Sequence, residues 1–258
     1  MLNYRRTNII TGILLGILLL VHMAWQPVPW WLWILPLLAW TGLTAWGACN
    51  INAGFYLPVI CKSDIPDKRM ALTFDDGPLP QHTPAILDIL KATEVPATFF
   101  CIGERAAQHP DLLTRIQAEG HVLANHSYSH HFWFDLFGPA KMLAELRQTD
   151  QVLEKTTGLV PKLFRPPYGV TNPNLKKAIL QGAYLPVGWS IRSLDTVATN
   201  EQELLQRILQ KLHPGAILLL HDTCEITRKV LPELITRIRQ QGYTIERIDK
   251  LLNIPAYA

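Results

Sequence analysis

Charge is what this chain has least of. Charged residues fill 17% of its 258 positions, against about a quarter in an ordinary soluble domain, and the deficit is local. As far as Cys61 the only charges are Arg5 and Arg6; from Lys62 onward the composition is that of a globular domain. The net charge of +3 is small and spread along the chain, which excludes the dense basic patch that nucleic-acid binding requires. Cysteine is scarce too. Cys49, Cys61, Cys101 and Cys224 stand singly, without the close spacing of a zinc knuckle or a redox pair, and read as small hydrophobes. Repeats, low-complexity stretches and long linkers are missing, and no feature points to a protein partner. What remains is an N-terminal segment, residues 1–61, ahead of one enzyme-sized domain, residues 62–258.

The N-terminal segment reads as a membrane address. Ile9–Trp25 is an apolar run broken only by Thr11 and His22, and Trp30–Cys49 is a second run without charge. A bilayer core takes roughly 17–25 apolar helical residues, so each run is long enough to cross. Tryptophans near the ends of the second run suit the interface, and Pro36 inside it predicts a kink. A cleaved signal peptide fits poorly, because His22-Met23-Ala24-Trp25-Gln26 lacks small residues where cleavage needs them. A lipoprotein anchor at Cys49 fits poorly as well, since Trp46 stands where such signals carry an aliphatic residue. A helical hairpin with its turn at Pro27 and Pro29 fits best. Arg5 and Arg6 put its start in the cytoplasm, and two crossings return the chain to that side. A single crossing would put the rest outside, so the membrane face of the larger domain stays open.

From Arg69 the chain alternates short β-branched or aromatic runs with amphipathic stretches. Strands are expected at 69–74, 97–102, 121–125, 163–165, 185–190, 216–221 and 243–247, with helices between them. Gly120, Gly158, Gly182 and Gly242 mark helix ends, and Thr83-Pro84 reads as an N-cap and first turn. Seven strands joined by helices imply a parallel sheet, either open or closed as a barrel. Loops at the carboxyl ends of its strands then share one face. The reactive groups fall at those ends: Asp75 and Asp76, His126 and His130, Arg165 and Tyr168, Asp195, His221 and Asp222.

An Asp-Asp pair before Gly77-Pro78 is, on its own, no more than a turn. His126 and His130 at i, i+4 add two imidazoles that one turn or tight loop brings to one face. With Asp76 they make a three-ligand site that leaves positions open for water and substrate. Asp75 then stands free to take a proton from water, and His221 to give one to a leaving amine. Arg165 and Asp195, charges at buried strand ends, need partners: either each other, or Asp75 and His221.

These motifs, in this order, resemble the polysaccharide deacetylases of the NodB homology domain, carbohydrate esterase family 4. The resemblance covers about residues 66 to 250. It rests on Thr73-Phe74-Asp75-Asp76-Gly77-Pro78, His126-Ser127-Tyr128-Ser129-His130, Arg165-Pro166-Pro167-Tyr168, a partial fourth motif from Trp189 to Asp195, and Leu219-Leu220-His221-Asp222. It implies a distorted (β/α) barrel and a divalent metal, usually zinc, with cobalt or manganese as alternatives. It implies Asp75 as base, Asp76, His126 and His130 as metal ligands, and His221 as acid. Tyr168 would offer its backbone N–H to the oxyanion, Arg165 and Asp195 would support base and acid, and Leu219 and Trp189 would wall the acyl pocket. The fourth motif departs: Arg192 stands where many members have an acid, and Thr196 where they have Trp. The expected activity is removal of N-acetyl groups from amino sugars of a peptidoglycan- or chitin-like polymer. Deacylation of a lipid-linked amino sugar at the membrane face is the alternative. An inactive carbohydrate-binding module, the reading from another class, would show damaged motifs.

Overall fold

A computed structural model describes residues 2–258. Two apolar helices come first, α1 (Tyr4–Ala24) and α2 (Trp30–Cys49). Helix α1 starts earlier than its apolar run because the Asn3 side chain accepts the Arg6 N–H, capping it upstream of both arginines. The helices lie antiparallel: Trp40 donates to Asn8 at 2.8 Å, and the His22 and Trp33 rings meet near the turn. Both are long and apolar enough to cross a membrane, and Ile9, Ile13, Leu20, Trp30 and Leu38 are exposed. Their open ends are tied down in two ways: the Tyr4 N–H donates to Phe55 O within the N-terminal segment, and the Thr171 N–H of the larger domain donates to Ala48 O, each at 3.0 Å.

The larger domain is a curled parallel sheet: β1 (Arg69–Asp75), β2 (Thr98–Cys101), β3 (Val122–Asn125), β4 (Leu163–Phe164), β5 (Leu185–Pro186), β6 (Ile191–Arg192), β7 (Ala216–His221) and β8 (Thr244–Ile245). Its order is β5-β4-β3-β2-β1-β7-β6, with β8 on β1. The expected distorted (β/α) barrel is thus the fold found. One expected strand is divided, however. Residues 185–190 run on to Arg192 but change partner on the way. β5 pairs with β4 on one edge and β6 with β7 on the other, so one extended segment ties the two edges together. Pro186 has no N–H for a longer ladder, and Ile60 bridges to Val187 at the changeover. The next residues of that segment help close the gap: Ser63 donates to Gly215 O at 2.9 Å. At Gly215 (φ +73°) a Cβ would lie 1.9 Å from Ser63 O, so only glycine fits.

Gly182 has a different role from the expected helix stop. The left-handed residue there is Ala183. A Cβ on Gly182 would fall 2.3 Å from the Tyr184 ring, so that glycine serves packing. Thr83 likewise does not cap its helix: its hydroxyl accepts the Leu79 N–H and donates to Asp222.

Alternation along the strands decides what faces the site. On β1, Met70, Leu72 and Phe74 pack outward against the helices, while Ala71 lies in the inner cluster. On β7, Ala216, Leu218 and Leu220 go outward and Ile217 inward. The helix Ile248–Leu252 plugs the lower end with Ile248 and Leu251. Continuing the same parity upward leaves Thr73 and Asp75, Leu219 and His221, Arg165, and Trp189 facing the upper interior.

Candidate active site

The pocket at the strands' carboxyl ends is lined by Asp75, Asp76, His126, His130, Pro166, Tyr168, Gly169, Trp189, Arg192, Thr196, Leu219 and His221. Asp75 continues the inward column of β1. Its neighbour escapes that parity through a left-handed backbone (Asp76, φ +76°), which turns a second carboxylate into the same space. Ser127 (φ +66°) and His130 (φ +45°) do the same for the histidine loop. Such conformations cost of order 1–3 kcal/mol each for residues with a side chain, and they concentrate at functional sites. The loop's geometry is anchored by Asn125, whose Oδ1 accepts the Ser127 N–H at 2.8 Å.

Two imidazoles converge on one carboxylate. Nε2 of His126 and Nε2 of His130 each lie 3.5 Å from Asp76 Oδ1, and the three ligand atoms fall within 4.8 Å of one another. Ligands about 2.0–2.2 Å from a tetrahedral ion sit roughly 3.4 Å apart, so these residues fit a divalent metal. His126 Nδ1 faces Arg165 O at 2.8 Å; donation there leaves Nε2 as the ligand atom, the outer-shell arrangement metal-binding histidines use. Burial alone would raise the Asp76 carboxyl; the hydrogen bond and charge of His126, helped by His130 and His221, hold it well below its ordinary range. Burial lowers His130 to about 4, with the charge of His126 beside it. Burial also works against a charged His126, but Asp75 and Asp76 outweigh it and raise its pKa.

The partners of the two buried charges separate cleanly. Arg165 is fully buried and donates to Asp75 Oδ1 at 2.6 Å, to Thr73 Oγ1 at 2.8 Å, and to the carbonyls of Val187 and Gly188. Its guanidinium also lies over the Phe100 ring at 4.0 Å. Asp195 instead takes His221, with Oδ1 2.7 Å from Nδ1. Burial would lower the His221 pKa, yet the bond and charge of Asp195 reverse this and push it up to about 9. Of the two pairings left open by sequence, each charge takes its own partner. Leu219 and Trp189 join in a small apolar cluster at the pocket wall, and the Tyr168 ring (φ +56°) lies 4.7 Å from that of His130.

Asp222 does not join the site. It is buried against Thr83, and burial pushes it up to about 7. Sequence reasoning missed Thr227, which donates to Asp195 Oδ2 at 2.6 Å, Thr73 beneath Arg165, and Arg105, which donates to the Asp76 backbone carbonyl at 2.7 Å. Thr73 lay within a quoted motif and in phase with Asp75; Thr227 and Arg105 sit on helices with no local mark.

A curled parallel α/β barrel, carrying a two-histidine, one-carboxylate cluster between an Arg–Asp and a His–Asp pair, defines the class. Comparison with known proteins gives the family. The polysaccharide deacetylase family model matches residues 62–186. The chain is 35% identical over 177 residues to a peptidoglycan-N-acetylglucosamine deacetylase of Bacillus cereus, covering 66% of this chain and 64% of that one. It is 34% identical over 190 residues to the peptidoglycan-N-acetylmuramic acid deacetylase PdaA of Bacillus subtilis, covering 72% of each. The solved structure of the Bc1960 peptidoglycan N-acetylglucosamine deacetylase matches with a TM-score of 0.73 at 29% identity, over 78% of this chain and 95% of that one. The chain belongs to the polysaccharide deacetylase family. It spans 39% and 42% of the length of two further peptidoglycan deacetylases, from Bacillus subtilis and Listeria monocytogenes.

Proposed function

We propose that the chain is a membrane-anchored, metal-dependent hydrolase that removes N-acetyl groups from amino-sugar residues of a peptidoglycan- or chitin-like polymer. One observation carries this reading: the Asp76–His126–His130 cluster, the Asp75–Arg165 pair and the His221–Asp195 pair all border one pocket. Asp76, His126 and His130 would hold the ion, zinc first among divalent candidates. When bound, it supplies a Lewis acid that polarises the amide carbonyl and makes water a stronger nucleophile.

The chain's own groups do the rest. Asp75, held in place by Arg165, takes the proton of the attacking water. The backbone N–H of Tyr168 faces the oxygen where charge develops. His221, protonated through Asp195, delivers its proton to the departing sugar amine. Leu219 and Trp189 enclose the acyl methyl, and Thr196 leaves the adjacent wall open. The intact acid, base and ligand set weighs against an inactive binding module. The test is acetate release from N-acetylated chito-oligomers and peptidoglycan strands by the zinc-loaded chain, beside His126→Ala. Release that needs both zinc and His126 supports the reading; release that survives the substitution removes it.

A second reading has an observation of its own. Tyr4 and Ala48, at opposite ends of the hairpin sequence, are hydrogen-bonded to Phe55 and to Thr171, the latter just past the pocket loop 166–169. Arg5 and Arg6 share that end, which favours a cytoplasmic catalytic domain and a lipid-linked amino sugar presented at the membrane face. A reporter fused after Ala258 decides between them: activity in the cytoplasm only would exclude a cell-wall polymer.

A further inference from the structure

Most of the pocket's polar groups are committed to one another. Arg192 is not. It lies on β6 between Ile191 and Ser193, both buried, so alternation turns its side chain the other way, toward the pocket it lines. Its register partner on β7 is Leu219, a pocket residue, and its guanidinium lies 5.9 Å from the centre of the Trp189 ring. Arg165 also bears on Trp189, at 5.8 Å, but each of its nitrogens already donates to Asp75, Thr73 or a backbone carbonyl. Among the described residues Arg192 has neither an ion pair nor a hydrogen bond from its guanidinium. The acid closest in sequence is not available to it: Asp195 is buried and spends its oxygens on His221, Ser193, Thr196 and Thr227.

We propose that Arg192 is an anion-recognising wall of the catalytic pocket, so that the sugar acted on carries a carboxylate or a phosphate beside its acylamino group. This rests on the deacylase reading of the site. The chemistry follows from the balance of charge. Asp75 is matched by Arg165 and Asp76 belongs to the His126–His130 cluster, while Trp189, Leu219 and Thr196 carry no charge, so nothing in the pocket answers the Arg192 guanidinium. A guanidinium with its fork of donors free suits either planar or tetrahedral oxyanions. The register partner of Arg192, Leu219, stands two residues before His221 on β7, and all three line the pocket, so Arg192 belongs to the wall that a bound sugar and its substituents would meet. Arg192 is exposed, so its effect is modest and screened by salt: roughly tenfold in affinity at low ionic strength. It is a specificity residue and takes no part in proton transfer.

The experiment is calorimetric titration of the zinc-loaded full chain in detergent. The probes are a neutral N-acetylglucosamine tetramer, a tetramer of equal length containing N-acetylmuramic acid, and the pair N-acetylglucosamine and N-acetylglucosamine 1-phosphate. The wild type binds at least one anionic probe about tenfold more tightly than its neutral counterpart, and which one identifies the anion as carboxylate or phosphate. Arg192→Gln abolishes that preference, so that its anionic and neutral probes bind alike, Arg192→Lys restores part of it, and added salt shrinks it. Equal binding of anionic and neutral probes by the wild type overturns the proposal. So does a preference that survives Arg192→Gln, since the anion is then held by the metal or another group. Acetate release is followed with the same probes. An Arg192-dependent preference without release from any probe would sink the deacylase reading and leave the anion site standing. Release without preference would do the reverse.

Discussion

The Asp195 carboxylate meets His221 twice: Oδ1 lies 2.7 Å from Nδ1, and Oδ2 accepts the His221 backbone N–H at 2.7 Å. Thr227 donates to Oδ2 as well, and Ser193 to Oδ1. The imidazole is thus fixed in orientation with Nε2 toward the pocket, and Asp195, overcoming the cost of burial, pushes its pKa up to about 9. Because the folded value is raised, the protonated form prevails below it and is lost as pH rises through it. Turnover therefore falls on the alkaline side as His221 loses its proton. A divalent cation bound nearby draws that limb below pH 9. Asp195→Asn moves the limb further toward the ordinary histidine value and lowers kcat by roughly 100-fold or more. A kcat–pH profile checks this; an alkaline limb unmoved by the substitution removes His221 from the role of acid.

Asp75 and Asp76 are adjacent in sequence, yet they border the pocket with different partners, and their substitutions separate accordingly. Asp75→Asn retains bound zinc while kcat drops by about 100-fold or more, as expected for loss of a general base. Asp76→Ala or His126→Ala loses the metal, because two ligands do not close the site. Metal content by atomic absorption, read beside acetate release, distinguishes them. Full turnover by Asp75→Asn would end the base assignment.

Much of this arrangement was legible because strand parity is a sequence property. Thr73 and Asp75, Leu219 and His221 alternate with apolar residues that pack outward, so the inward column could be read before any coordinate. The i, i+4 histidines and the turn after Asp76 pointed to the Asp76–His126–His130 cluster. What the sequence hid was non-local. Arg165 and Asp195 each had two eligible partners, and only the curl of the sheet chooses Asp75 for one and His221 for the other. The divided strand is the same kind of failure: residues 185–192 look continuous, and are, but the partner change at Val187–Ser190 depends on Ile60, more than a hundred positions away. Thr83 satisfied every local rule for a helix cap and was diverted to Asp222 by tertiary contact.

Arg165 supports the fold as much as the site. It is fully buried, and its removal leaves the buried Asp75 without its positive partner. Arg165→Met is expected to cost about 3–5 kcal/mol, the range for breaking a buried pair by deleting one side. For a chain of this size that lowers the melting temperature by roughly 10 °C. Adding Asp75→Asn, which removes the stranded charge, recovers part of the loss. Thermal unfolding of the single and double variants measures this. A double variant no more stable than Arg165→Met alone would mean that the guanidinium acts through Thr73, Val187 and Gly188 instead.

On the opposite side of the sheet, His121 gives the stability a pH dependence independent of catalysis. It is buried, accepts the Ala97 N–H through Nδ1 at 3.1 Å, and packs edge-on against Phe99. Its Nε2 has no partner among the described residues. Burial, with the charges of Arg115 and Arg247, lowers its pKa to about 4, against the pull of Glu119. The sign follows: the unfolded chain takes up a proton near the ordinary value of about 6.5, before the folded chain does. The contribution is fully present above that pH and is lost as pH falls toward 4. Its full extent is about 3 kcal/mol. Asp222, pushed up to about 7, and Asp135, up to about 6, act oppositely, since their burial favours the protonated carboxyl and their contribution is lost as pH rises. The wild-type curve alone therefore mixes the three. His121→Asn isolates one of them, because its Oδ1 replaces Nδ1 as acceptor while the titrating ring is gone. The variant is less stable than wild type at pH 7.5, and the gap narrows steadily between pH 6.5 and 4.5. Denaturant midpoints across that range decide it; a gap independent of pH would mean that His121 is charged, or already solvated, in the folded protein.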